Sequence, residues 1–209
     1  MYKTKSTKVK EKMDVGIVGE SFFTDYVYEK DFKSLYKKCF DLRGTPIERD
    51  YDIDFLLSKE DVNIDINDLA EQEKIRQYLK SISSKDDIKE KPFVGVEVKT
   101  DTRILTTNNI VYDITSHDKT GGLARSETTF IIYCFVDENN VVVKYAIINM
   151  LRLRRFMREN HYNIWKPDSG IKSLNFKDDE NELDGNSWVL LIDIDLLAKN
   201  KIAKISNYG

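Results

Sequence analysis

The sequence predicts a single α/β domain, and three observations lead to this prediction. Apolar, β-prone runs alternate along the chain with stretches of helical periodicity. The run 129–136 is almost entirely apolar, which is typical of a strand covered on both faces. The length of 209 residues, with 41% hydrophobic content, suits one core or one domain with a sizeable insertion.

The first predicted helix spans about 19–40, where apolar residues recur at i, i+3, i+4 and i+7 spacing. The residues of this stripe are Phe32, Leu35, Tyr36 and Cys39. A turn at 44–46 follows it, and an acidic strand is predicted over 50–57. Before it, residues 1–13 are lysine-rich without apolar periodicity and predict a mobile basic arm. We therefore assign 14–209 to the domain.

The stretch 58–91 is charged and predicts a helical insertion between two strands of the core, with Ile75, Leu79 and Ile82 on one side of its helix. Pro92 precedes the next strand at 93–100.

The second half of the chain predicts further strands and two helices. Strands are expected at 109–115, 129–136, 141–148 and 187–194, with the middle two forming a hairpin. A short helix is expected at 123–128, after Gly121-Gly122, and a basic helix at 151–160.

Composition limits the classes of partner. The net charge is −3, which excludes binding as a polycation but permits a local basic face. Cys39 and Cys134 form neither a CxxC motif nor a disulfide framework. With no signal peptide and no apolar run near the ~20 residues of a membrane span, we expect a soluble, cytoplasmic protein without a membrane partner.

Charged residues alternate with apolar residues in two of the predicted strands, 50–57 and 93–100. Side chains alternate between the faces of a strand, so Asp52 and Asp54 are predicted to share a face. Glu97 and Lys99 are predicted to share a face of the other strand. If the strands are neighbours, two carboxylates and an ammonium group meet. The alternative is that both strands present a solvated, charged face.

This combination suits phosphodiester hydrolysis. Mg²⁺ prefers oxygen ligands, commonly one or two carboxylates, and Mn²⁺ accepts similar ligands. A bound divalent ion polarises a phosphoryl oxygen and activates water. A lysine beside it can orient that water or stabilise developing charge.

The order of these elements resembles the PD-(D/E)xK nuclease superfamily, in particular small phage and bacterial members. The likeness covers about 19–153, although the insertion 58–91 departs from compact relatives. It is carried by Asp52-Ile53-Asp54-Phe55-Leu56, by Glu97-Val98-Lys99-Thr100-Asp101-Thr102-Arg103, by Asn109-Ile110-Val111-Tyr112-Asp113 and by Gly122-Leu123-Ala124-Arg125-Ser126.

The resemblance implies a restriction-endonuclease-like mixed β-sheet flanked by helices. By position it implies that Asp54 and Glu97 bind the metal, that the carbonyl of Val98 is a further ligand, and that Lys99 assists the attacking water. Glu20 matches the helical acid that often completes such sites. Asp52 stays an alternative to Asp54, which we favour because an apolar run follows it.

Arginines supply candidate contacts to nucleic acid, since guanidinium groups bind phosphate in a fork geometry. The candidates are Arg103, Arg125, Arg152, Arg154, Arg155 and Arg158. The alternative for those at 151–160 is a solvated helical face.

The sequence thus favours a Mg²⁺- or Mn²⁺-dependent DNA endonuclease. Two alternatives stay open: a non-catalytic protein of nuclease fold that binds nucleic acid or a protein partner, such as a phage accessory factor or inhibitor, and a purely structural interaction protein. The strand state of the substrate, DNA against RNA, and a homodimeric state are also left open.

Overall fold

The computed structural model describes residues 15–82, 92–116, 119–120, 126–160, 171–176 and 187–209. They form a six-stranded and a four-stranded sheet with flanking helices. The strands are β1 (Lys38–Asp41), β2 (Phe55–Ser58), β3 (Phe93–Asp101), β4 (Asn109–Ser116), β5 (Lys119–Thr120), β6 (Phe130–Val136), β7 (Val142–Asn149), β8 (Ile171–Phe176), β9 (Ser187–Asp193) and β10 (Ala203–Asn207). The helices are α1 (15–32), α2 (Pro46–Tyr51), α3 (Leu69–Ile82), α4 (Ile104–Thr107), α5 (Met150–Glu159) and α6 (Ile194–Lys199).

The larger sheet has the order β1-β2-β3-β6-β7-β10 and the smaller one the order β5-β4-β9-β8. In the larger sheet β3 and β6 run parallel, and the other described pairs are antiparallel. The predicted α/β class is therefore confirmed, as a mostly antiparallel six-stranded sheet flanked by helices.

Two layers cover opposite faces of the larger sheet. On one face α1, whose segment Phe23–Phe32 has π-helical hydrogen bonding, packs its buried aromatic side chains against β3 and β6. On the other face, β6 and β7 pack against β4 and β9 of the smaller sheet. Strand β6 is thus covered on both faces, which explains its apolar sequence.

The predicted insertion contributes to a third cluster of the core. Ile75 and Leu79 of α3 are buried against Ile53, which precedes β2, and against Leu56 of β2. Despite the 34-position stretch between them, β2 and β3 pair directly, with Phe55 opposite Val96. The expectation that the two acidic segments are neighbours is confirmed.

Two predicted boundaries are wrong. The helix predicted over 19–40 ends at Phe32, because 38–41 pairs with β2 and Cys39 lies opposite Leu57; Leu35, assigned to the buried stripe, is 64% exposed. The strand predicted over 50–57 begins only at Phe55, because Pro46–Tyr51 is helical. Thr45 caps that helix and Pro46 occupies its first turn.

The strands at β3, β4, β6, β7 and β9 and the helix at 151–160 are confirmed within two residues. The strands β1, β5, β8 and β10 and the helices α2, α4 and α6 were not predicted. Residues 126–128 of the predicted helix 123–128 are not helical. The basic arm 1–13, Gly121-Gly122 and Arg125 lie outside the described residues. No helix in the described ranges combines the length and apolarity needed to cross a membrane.

Candidate functional site

Asp54 lies at the entrance of β2, where the chain leaves α2. Its N–H donates to the Val96 carbonyl at 2.9 Å, and its Oδ2 accepts from the Val98 N–H at 2.7 Å. Because Phe55 is opposite Val96 in this antiparallel pair, Asp54 lies opposite Glu97. Asp54 is only 7% exposed, so its carboxylate is fixed against β3 and largely withdrawn from water.

Glu97 and Lys99 lie on the face of β3 that turns away from α1. Val96 and Val98, which alternate with them, pack in the cluster beneath α1. Glu97 is 4% exposed, and its Oε1 accepts a hydrogen bond from the Lys99 ammonium. The Lys99 side chain is 37% exposed. The predicted shared face is confirmed, and Lys99 connects the buried carboxylate to the surface.

Burial dominates the electrostatics of both acids. It raises the pKa of Asp54 to about 6, against the opposing effects of the Val98 N–H and the Lys99 charge. It raises the pKa of Glu97 to about 8, and the neighbouring charge of Asp54 acts in the same direction. Without a further cation, both carboxylates are therefore costly to ionise.

For Lys99 the neighbouring charges together, not burial, determine the direction in which the pKa moves. Burial alone would lower the pKa of its ammonium group, but the negative charges of Glu97 and Asp52 outweigh burial and raise it. Lys99 is therefore protonated at neutral pH and acts as a hydrogen-bond donor and a positive charge, not as a base.

Asp52 does not share a strand face with Asp54, and this prediction is wrong. It is the C-terminal cap of α2, with a left-handed backbone (φ 56°) and its N–H donating to the Glu48 carbonyl. Its Oδ2 is buried without a hydrogen-bond partner, and its charge raises the pKa of Glu97 and Lys99. Asp52 thus approaches the same site from α2.

Glu20 on α1 is held by Arg43. Its Oε2 accepts from Arg43 Nη1 at 2.5 Å, and the same guanidinium group donates to both oxygens of Asp41. Arg43 also lies over the Phe55 ring, 5.1 Å from its centroid. The charge of Glu20 contributes to the raised pKa of Asp54, so Glu20 lies near Asp54.

Arg43 and Asp41 were missed by the sequence prediction, which assigned this stretch to the end of a helix and a turn. The paired spacing Asp41-x-Arg43 was the available signal, but the contact with Glu20 depends on how α1 packs.

The predicted arginines are dispersed around the site. Arg154 donates to the Ser126 carbonyl, and the Ser126 hydroxyl donates to the Asp52 carbonyl at 3.1 Å. Arg154 thus adjoins the site. Arg152 donates to the Lys201 carbonyl at 2.7 Å. Arg103 caps α4 directly after β3, while Arg155 and Arg158 are exposed on α5.

The side chains present fit a hard divalent ion, although no group of three His, Cys, Asp or Glu side chains within the described ranges forms a ready-made metal cage. Mg²⁺ is commonly held by one or two carboxylates, with water and substrate oxygens completing its shell. Asp54 and Glu97 supply two buried carboxylates that lack sufficient compensating charge, and Asp52 adds a buried, unpartnered oxygen.

Comparisons with models of known protein families, with curated proteins and with solved structures find no match for this chain. An interpretation of the site therefore depends on its geometry and chemistry.

Proposed function

We propose that this protein is a metal-dependent nuclease that hydrolyses internal phosphodiester bonds of DNA. The observation that carries the proposal is the position of Lys99 beside two buried carboxylates, Asp54 and Glu97, on neighbouring strands. Buried acids persist where an ion or a reaction requires them, because otherwise their desolvation is unfavourable.

The topology supports a restriction-endonuclease-like assignment of the sheet. The helix with Glu20 packs on a sheet in which the Asp54 segment, the Glu97-x-Lys99 strand and the apolar strand β6 are successive neighbours. This arrangement agrees with the element order on which the resemblance to PD-(D/E)xK nucleases is based.

Asp54 and Glu97 would hold Mg²⁺ or Mn²⁺, with the Val98 carbonyl and Glu20 as the proposed additional ligands. When bound, the ion supplies charge neutralisation at the phosphoryl group and a bound water of lowered pKa. The hydrogen bond from the Val98 N–H fixes Asp54 for this role, because it prevents rotation of a carboxylate at the end of a strand.

Lys99 is proposed to steady the attacking water and the charge that accumulates on the phosphoryl oxygens. Its ammonium group stays protonated because Glu97 and Asp52 raise its pKa, so it can donate two hydrogen bonds beyond the one to Glu97. Its partial exposure lets a substrate reach it.

Arg103, Arg154, Arg155 and Arg158 are proposed to contact the DNA backbone. Arg154 adjoins the site through Ser126, and Arg155 and Arg158 extend from it along α5. Phosphate contacts of this kind predict that the affinity for DNA falls as salt rises.

The proposal is tested by incubating purified protein with supercoiled plasmid in Mg²⁺ or in EDTA. We expect nicking in Mg²⁺ alone, and its loss in Glu97→Gln and in Lys99→Ala. Glu73→Gln, on the exposed surface of α3, is the matched control and is expected to cut normally. Undiminished cutting by both site variants would remove these residues from the mechanism.

A second candidate is a non-catalytic protein of the same fold. It is favoured by the hydrogen bond from the Lys99 ammonium group to Glu97, which occupies a carboxylate oxygen, and by the lack of a three-acid group within the described ranges. Titration calorimetry with Mn²⁺ separates the two candidates. Heat that disappears in Asp54→Asn supports the nuclease, and the absence of carboxylate-dependent heat supports the non-catalytic protein.

A further inference from the structure

A groove crosses the α1 face of the larger sheet where β6 begins and β7 ends. It consists of two adjoining cavities of about 400 and about 420 Å³, which share Phe130, Ile147 and Lys204. We call it the basic groove, because its rim carries Lys59, Arg152, Lys201 and Lys204. Cavities of this size accept small ligands or segments of a polymer.

The charge of the basic groove contrasts with that of the whole chain, which is −3. Among the side chains that line it, four are cationic and one, Asp31, is acidic. Asp31 accepts from Lys204 at 2.6 Å and from the Tyr145 hydroxyl at 2.7 Å, and its side chain is 6% exposed. This ion pair neutralises Lys204, so the other three cationic side chains exceed the acids that line the groove. The groove therefore presents a local excess of positive charge, which favours a polyanion.

The floor of the basic groove is apolar and partly open. Phe130 is half-buried and meets the Phe32 ring edge-on, with 5.4 Å between centroids. Ile147 is half-buried, and Leu35, at the far end, is 64% exposed. A ligand that fits has both phosphate groups for the rim and flat apolar faces for the floor.

Single-stranded nucleic acid has these two properties, because its unpaired bases stack on apolar and aromatic surfaces while its backbone follows a cationic groove. A duplex keeps its bases stacked inside and would contact the rim alone. The floor therefore distinguishes a single strand from a duplex.

The basic groove and the two-carboxylate site are separated by the sheet itself. Phe130 is the parallel register partner of Val96, the residue before Glu97, but Phe130 packs toward α1 while Glu97 faces the opposite side. A strand in the groove is consequently not the strand that lies over Lys99.

We propose that the basic groove binds a single-stranded arm of a DNA molecule whose other part is cut at the two-carboxylate site. This inference rests on the proposed function for the cutting step only. The inferred substrate class is DNA in which a single-stranded segment joins a duplex.

Binding is measured without catalysis, by fluorescence anisotropy of a labelled oligothymidylate of about 12 nucleotides, a length within the usual site sizes. The protein carries Glu97→Gln and the buffer contains EDTA. The groove variant combines Arg152→Gln, Lys201→Asn and Lys204→Gln; asparagine is chosen because Lys201 has a left-handed backbone (φ 57°). The matched control replaces three lysines outside the basic groove by glutamine: Lys38, Lys74 and Lys144.

We expect the groove variant to bind the oligonucleotide at least about 10-fold more weakly than the control, with a log–log salt slope smaller by about 2, since each lost phosphate contact removes roughly 0.7. If the triple variant is unfolded by circular dichroism, Lys201→Asp alone tests the same direction. Equal binding by the groove variant and the control overturns the proposal. The proposal is also overturned if the groove variant loses as much affinity for a blunt duplex as for the oligothymidylate.

Cutting provides the second readout. In Mg²⁺ the groove variant is expected to lose any preference for a tailed duplex over a blunt one, measured as the ratio of the two initial rates. If none of the proteins cuts DNA but the groove variant alone loses single-strand binding, the proposed nuclease function fails and the groove assignment stands. If the wild type cuts both substrates and the ratio is unchanged in the groove variant, the groove assignment fails alone.

Discussion

The Asp54 carboxylate accepts a 2.7 Å hydrogen bond from the backbone N–H of Val98 on the neighbouring strand. This bond replaces a main-chain ladder contact with a side-chain contact at the point where β2 begins. It holds a carboxylate that is 7% exposed opposite Glu97, which is 4% exposed. Two buried acids in this position destabilise the fold when they ionise, and the same two carboxylates can bind a divalent ion.

Asp54→Asn should abolish metal-dependent cutting without damaging the fold. Asparagine has the same shape and its Oδ1 can still accept from the Val98 N–H, but it carries no negative charge. We expect cutting to fall at least about 100-fold, as when a group that stabilises charge in a transition state is removed. In EDTA the variant should unfold at the same or a higher urea concentration, because burial opposes the charged form. Normal cutting would transfer the ligand role to Asp52, which Asp52→Asn then tests.

Lys99→Met should be inactive while keeping the apolar stem of the lysine. The ammonium group is the hydrogen-bond donor to Glu97, and its loss should also shift the pKa of Glu97 further upward. We expect cutting to fall by about 10²- to 10³-fold, the usual effect of removing a hydrogen-bond donor that stabilises charge in the transition state. The control is Lys144→Met, because Lys144 lies over the Phe135 ring and is distant in sequence from the two acids. Comparable activity of the two variants would exclude a catalytic role for Lys99.

The central strand of the site could be predicted from sequence because its pattern is local. Val96 and Val98 alternate with the charged residues Glu97 and Lys99, and alternation specifies which side chains share a face. The parallel neighbour β6 could also be predicted, because its sequence is a continuous apolar run. The sequence prediction misplaced Asp52, because its neighbours also alternate and so favoured a strand.

A more specific signal for α2 was present. Thr45 and Glu48 have the spacing of a capping box, and the Glu48 N–H donates to the Thr45 hydroxyl at 3.4 Å. Pro46 in the first turn agrees with it. These cap residues indicate a helix more strongly than the alternation at 50–57 indicates a strand, and they place Asp52 at a helix terminus.

The other features that were not predicted depend on contacts between distant parts of the chain. Glu20 and Arg43 are 23 positions apart and meet only because α1 packs beside the β1–α2 connection. The strand β10 pairs with β7, about 60 residues earlier in the chain. Neither relationship leaves a periodic trace in the local sequence, so tertiary packing alone establishes them.

Stability in EDTA should fall as the pH rises from about 4, near the pKa of an unfolded carboxyl group, to about 8, the raised pKa of Glu97. In this window the folded protein binds more protons at Asp54 and Glu97 than the unfolded chain does, so a rising pH favours unfolding. Lys99 is protonated in both states there. Thermal melts across this range measure the effect.

Mg²⁺ should reverse that trend, since the ion requires deprotonated ligands and its binding releases protons. We expect the increase in Tm on adding Mg²⁺ to be larger at about pH 8 than at about pH 5. Asp54→Asn combined with Glu97→Gln should remove both the pH dependence and the Mg²⁺ effect. A Mg²⁺ effect that persists in this double variant would place the ion elsewhere.

Glu20→Gln and Arg43→Lys should distinguish a metal ligand from a structural ion pair. Arg43→Lys loses the two-pronged contact with Asp41 and weakens the contact with Glu20. We expect it to lower the free energy of unfolding by about 1 kcal/mol or less, since the pair is partly exposed. If Glu20 is a ligand, Glu20→Gln lowers the affinity for Mn²⁺ in calorimetry and Arg43→Lys does not. Equal Mn²⁺ affinities in both variants and the wild type would leave Glu20 as a partner of Arg43 alone.

Gly19→Ala should disturb the packing of α1 on the site strand. A Cβ at this position would lie 2.2 Å from Cγ2 of Thr100, one residue beyond Lys99, and 3.3 Å from Cγ1 of Val98. Overpacking of this kind costs roughly 1–3 kcal/mol, and urea unfolding measures it. Thr100→Ser removes the clashing methyl group, so the double variant should recover most of the loss, while Gly16→Ala, with open space around its Cβ, should show little change. Because the displaced helix carries Glu20 and the displaced strand carries Glu97 and Lys99, cutting should fall in Gly19→Ala and return in the double variant. A stable, fully active Gly19→Ala protein would show that α1 can move away from β3 without affecting the two carboxylates.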